Sequence, residues 1–61
     1  MKYSELKKKL RNAGCYIHKE GANHEQWFSP TSRKIFIVGR HNSEEVAPGT
    51  LHDILKKSGL K

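Results

Sequence analysis

Apolar positions along the chain change their spacing twice. Tyr3, Leu6, Leu10 and Ala13 recur every three or four residues, which puts them on one face and predicts a helix over Ser4–Ala13. Ser4 is placed to cap the first turn, and Glu5 meets the positive end of the helix dipole. Gly14 follows, able to take the left-handed conformation that ends a helix. From Cys15 to Glu20 the pattern becomes alternation, with Cys15 and Ile17 on one side, and predicts a half-buried strand. Gly21-Ala22-Asn23 has turn chemistry. His24–Ser29 reads as a second strand carrying the adjacent aromatics Trp27 and Phe28, Pro30–Arg33 as a turn, and Lys34–Val38 as the clearest strand. Gly39–Ser43 leaves regular structure, and Glu44-Glu45 continues as polar loop. Helical spacing then returns over Pro48–Ser58, where Leu51, Ile54 and Leu55 form the apolar stripe. Pro48 suits a first helical position, Lys56 and Lys57 suit the last turn, and Gly59 can close it.

The order is helix, three strands, helix. Connections this short require antiparallel pairing, because parallel strands need long crossovers. Two amphipathic helices then hide their stripes against one face of the sheet and leave the other face in water. The expected fold is therefore α+β, in one domain spanning residues 1–61, with the element order of double-stranded-RNA-binding domains. A hairpin about Pro30–Arg33 sets Trp27 near Phe36 and His24 near Gly39. That brings Arg40 and His41 to the same end of the sheet as the 21–24 turn.

Sixty-one residues make a thin domain. A chain of this size hides only about 60% of the surface its unfolded form exposes. The single cysteine allows no disulfide within the chain. Cys15, directly before an apolar strand, reads as a small buried hydrophobe suited to a reducing compartment. No apolar run reaches the roughly 18 residues of a membrane span, and nothing at the start resembles a signal peptide. A cytoplasmic protein without membrane association is expected.

Charge narrows the function more than size does. Twelve Lys+Arg against six Asp+Glu give a net charge of +6 and a pI near 9.8. A small basic body attracts polyanions, which makes nucleic acid a candidate partner; an acidic protein partner, or a charge that serves solubility alone, fits the same balance. The first helix carries Lys7, Lys8, Lys9 and Arg11 away from its apolar stripe, as a solvated face or equally as a phosphate-binding one.

Four histidines are available for chemistry: His18, His24, His41 and His52. They form no paired motif of the kind that holds zinc, and neither a metal nor another cofactor is expected. His24 stands out by its place, between a turn and a strand and at the end of the sheet that carries Arg40 and His41. Imidazole, with an ordinary pKa of about 6.5, can take the proton of a ribose 2′-hydroxyl. A neighbouring guanidinium can then steady the charge growing on the phosphate. Spacing alone leaves His24 either such a base or a solvated turn residue.

Four stretches carry a resemblance: SELKKKLRNAGC at the start, GANHEQW in the middle, VGRH after the third strand and PGTLHDILKKSGL at the end. Together, in this order and spacing, they resemble the HicA family of toxins from bacterial toxin–antitoxin modules, small ribonucleases that cut mRNA. The family pattern is a glycine-containing turn, a catalytic histidine, and an aromatic three residues later. The resemblance therefore implies that His24 is catalytic, that Gly21, Ala22 and Asn23 shape the turn, and that Trp27 packs beneath. It implies structural roles for Leu51, Ile54 and Leu55 beside Gly49 and Thr50. It further implies metal-independent cleavage of mRNA and neutralisation by a HicB-type antitoxin. Lys7, Lys8, Arg11, Arg40 and His41 are the candidate RNA contacts. This chain has Ala22 where relatives often have glycine, and Gly39 where many have proline in V-P-x-H. The alternative reading is a non-catalytic RNA-binding module built on the same basic surface.

Overall fold

The computed structural model describes residues 1–60. Helix α1 spans Tyr3–Asn12, followed by strands β1 (Tyr16–Glu20), β2 (His24–Ser29) and β3 (Lys34–Gly39), and helix α2 spans Pro48–Ser58. The three strands form one antiparallel sheet in the order β1-β2-β3, so β2 is central. The α+β architecture is the one that the hydrophobic pattern predicts.

The pleat sorts β2 cleanly. Glu25, Trp27 and Ser29 are buried on one face, while His24 is exposed and Gln26 and Phe28 are half-buried on the other. Phe36 and Val38 of β3 join the inner face. Leu6 and Leu10 from α1, Ile54 from α2, Cys15 and Val46 complete the core over them. Tyr3, Ile17, Leu51 and Leu55 pack at its edge. Each large apolar side chain so enclosed contributes about 1.5–3 kcal/mol, which is how two short helices are held on a three-stranded sheet.

Strand register places the site. Along β2 and β3, Trp27 pairs with Phe36 and His24 with Gly39, the pairing expected from the Pro30–Arg33 turn. That turn is closed by the Arg33 N–H donating to the Ser29 carbonyl at 2.7 Å, with Arg33 itself at φ +58°.

Element ends differ from expectation in instructive ways. The first helix begins at Tyr3, with Lys2 rather than Ser4 in the capping position. The Glu5 carboxylate accepts from the Lys2 N–H at 3.1 Å. The orphan N–H groups of Tyr3 and Ser4 donate to the carbonyls of Glu44 and Asn42, both at 3.0 Å. The polar loop after β3 therefore does the capping that Ser4 was expected to do. At the far end, Ser29 Oγ donates to the Ser58 carbonyl at 2.6 Å, and Ser32 Oγ to that of Lys57. These bonds tie the last carbonyls of α2 to the β2–β3 turn. Gly59, at φ +81°, closes the helix in the left-handed conformation.

Candidate active site

The end of the sheet that carries His24 is built by four converging segments. A cleft there is lined by Tyr3 of α1, Asn23 of the β1–β2 turn, His24 of β2, and Ile37 and Gly39 of β3, with His41, Glu44 and Thr50 completing its wall. His24 and His41, 17 positions apart in the sequence, thus share one cavity. A second groove, lined by Lys19, Glu20, Gly21, Gln26, Ile37 and again His24, runs from it over the outer face of the sheet.

The turn before His24 is held from two sides. The Gly21 N–H donates to the His24 carbonyl at 2.8 Å, and Arg40 Nη1 donates to the Gly21 carbonyl at 2.6 Å. A Cβ on Gly21 would lie 3.1 Å from the His24 oxygen, so glycine permits this close approach. Ala22 sits at negative φ, because Arg33 alone among the described non-glycine residues has positive φ. Glycine's extra freedom is not needed there. Gly39 has a different constraint: a Cβ on it would lie 3.2 Å from Cζ of Tyr3. The missing side chain lets the Tyr3 ring approach the end of β3 and form the cleft wall.

Beneath His24 lies a charged group that the hydrophobic pattern did not single out. Glu25 is 8% exposed. Its Oε1 faces Lys7 Nζ at 3.1 Å and accepts from Trp27 Nε1 at 3.0 Å. Lys7 Nζ also donates to Asn42 Oδ1 at 2.6 Å. Burial pushes the Glu25 carboxyl pKa up, but the bonds from Trp27 and Lys7, with the charges of Lys7 and Arg40, outweigh it and hold the pKa below its ordinary 4.5.

Lys7 therefore does not share the solvated face expected for the first-helix cations. It is 4% exposed and spent on Glu25 and Asn42, because one more residue of helix rotation turns it toward β2. Lys8 and Arg11 remain exposed, and the Arg11 guanidinium carbon lies 5.2 Å from the Trp27 ring centroid. Arg40 and His41 are exposed at the His24 end of the sheet. Glu25 and Asn42 were missed, yet Glu25 was readable: the alternation that buries Trp27 and Ser29 also buries position 25. Asn42 had no such signal, since its role depends on how the loop folds back onto α1.

This geometry meets an independent finding. The model of the HicA toxin family of bacterial toxin–antitoxin systems matches residues 3–60. The chain belongs to the HicA toxin family. No curated protein and no solved structure gives a significant match. As a HicA toxin, the chain is one half of a toxin–antitoxin pair, and its family is one of ribonucleases. Among the described residues, no helix is long and apolar enough to cross a membrane, and no group of three or more His, Cys, Asp or Glu gathers as a metal site.

Proposed function

We propose that this HicA toxin is an mRNA-cleaving endoribonuclease whose general base is His24. The observation that carries the reading is the placement of an exposed His24 in one cleft with a second imidazole, His41, and beside Arg40. In its neutral form His24 takes the proton from a ribose 2′-hydroxyl. The freed 2′-oxygen attacks the adjacent phosphorus, and the bond from phosphorus to the 5′-oxygen of the next nucleotide breaks. The products are a 2′,3′-cyclic phosphate and a 5′-hydroxyl. The leaving 5′-oxygen needs a proton, and the His41 imidazolium in the same cleft supplies it. The guanidinium N–H groups of Arg40 not bound to Gly21 stabilise the charge on the phosphoryl oxygens. No step calls for a metal or a cofactor.

A HicB-type antitoxin would neutralise the toxin by covering the 21–24 turn and the cleft beside it. An acidic partner suits a body of charge +6. Cytoplasmic action follows from an mRNA substrate.

Induction of wild type and of His24→Ala in a bacterium without the antitoxin tests the reading. Growth arrest with loss of mRNA in the wild type alone is the expected result. Equal arrest by both proteins would remove His24 from the mechanism, and intact RNA in both would favour a binding module without catalysis.

A further inference from the structure

The face of the sheet turned away from the helices bears an apolar row beside the cleft. Tyr16, Phe28 and Ile35 pair across the three strands in one row, Lys19, Gln26 and Ile37 in the next, and His24 stands opposite Gly39 in the last. Tyr16, Ile35 and Ile37 are each about half exposed, at 51%, 49% and 49%. The rings of Tyr16 and Phe28 lie 5.6 Å apart between centroids, tilted by 50°.

We propose that this outer face is the track on which single-stranded RNA is laid, with Tyr16 and Phe28 as a platform for a base upstream or downstream of the cut. The proposal rests on the ribonuclease reading above and adds to it a means of choosing where RNA is cut. Three observations converge on it. A groove lined by Lys19, Gln26, Ile37 and His24 shares His24 and Ile37 with the cleft, and its Lys19, Gln26 and Ile37 form the row next to the aromatic one. The chain's charge of +6 complements a polyphosphate. An exposed tyrosine ring beside a half-buried phenylalanine, with a lysine in the adjoining row, offers a surface for an unpaired base and its backbone, because every base has a flat face. The polar Lys19 and Gln26 separate the aromatic row from His24, whereas the centre of a protein–protein interface is depleted of charged side chains.

The spacing makes the proposal specific. Phe28 and His24 are four positions apart on β2, or about 13 Å at the rise of a strand. That length holds about four nucleotides at the 3.4 Å rise of a stacked strand, and fewer if the bases splay. Base preference should therefore extend about two to four nucleotides from the cut phosphate.

Binding is measured by fluorescence anisotropy on a His24→Ala background, using a mixed-sequence single-stranded RNA ten nucleotides long and the same oligomer with abasic sugars. Tyr16→Ala and Phe28→Leu should each weaken binding of the RNA about tenfold and leave abasic binding unchanged. Tyr16→Trp should retain it. Tyr16→Lys adds attraction for phosphate and removes the ring, so the platform predicts weaker RNA binding, whereas charge alone predicts tighter binding. Thermal melting of each variant separates lost binding from lost folding, and half-exposed Tyr16 tolerates replacement better than Phe28. Equal affinity of the parent for RNA and abasic oligomer, or tighter binding by Tyr16→Lys, would overturn the platform. So would unchanged RNA binding together with lost capture of the antitoxin, which would assign the face to a protein. Wild-type cleavage of the same RNA is followed in parallel. No cleavage with base-dependent binding would remove the nuclease reading and keep the platform, while cleavage with base-independent binding would do the reverse.

Discussion

His24 is exposed at the head of β2, and exposed side chains usually change stability by no more than about 0.5 kcal/mol when replaced. His24→Ala should therefore melt with the wild type, so any loss of RNA cleavage is a loss of chemistry. His41→Ala should slow cleavage less than His24→Ala and flatten the fall of rate at high pH, because that fall is the loss of the proton which the proposed acid delivers to the leaving oxygen; a rate profile against pH reads this directly. Glu25 behaves in the opposite way, as a buried group whose charge matters to the fold. Its pKa in the folded state is held below the ordinary 4.5. The ionised form is thus favoured by folding, and its stabilisation is complete above the ordinary value and lost as pH falls through the lowered one. Melting temperature should drop on acidification below about pH 4.5, and Glu25→Gln should flatten that part of the profile. The Glu45 carboxyl, paired with the Met1 amine, is also lowered, but that pair is exposed and screened by water.

Beyond the shared core, the elements are joined at their ends. The N-terminus of α1 is satisfied by carbonyls of the loop that carries Arg40 and His41, and Lys7 ties the same loop to β2 through Asn42 and Glu25. Lys7→Met leaves Glu25 buried without its cation and should destabilise the protein by about 3 kcal/mol. The double variant Lys7→Met, Glu25→Gln should recover part of that, and a double-mutant cycle by denaturant unfolding measures how much. Gly59→Ala places a Cβ in left-handed backbone and 3.2 Å from Thr31 Cγ2. A cost of about 1–2 kcal/mol is expected, with unfolding beginning at α2. The helices, strands and β2–β3 register were legible in the sequence because each rests on local periodicity and turn residues. The Lys7–Glu25–Asn42 group was not, because it joins three segments distant in sequence, and periodicity treats a lysine beside an apolar stripe as solvated. His24's exposure and its nearness to residues 39–41 followed from alternation and register. Its sharing of a cleft with Tyr3 and Glu44 did not, since that depends on how the loop is drawn onto α1.

At the scale of the molecule, a radius of gyration of 10.3 Å and a charge of +6 leave most cations on the surface of a very small body. RNA affinity should fall steeply with salt, by an amount that counts the phosphates contacted, and Lys8→Ala or Arg11→Ala should lower that slope by about one each if they touch the backbone. An antitoxin that binds only the folded toxin should also raise its melting temperature, with the logarithm of its concentration over its dissociation constant. Metal-independent cleavage of RNA by His24 is the step on which the proposed function turns. It is tested most directly by incubating purified wild type and His24→Ala with a single-stranded RNA in excess EDTA and mapping the ends. The wild type should cleave and leave 2′,3′-cyclic phosphates, and His24→Ala should leave the RNA whole. Cleavage by His24→Ala at the wild-type rate, or none by the wild type until a divalent cation is added, would contradict it.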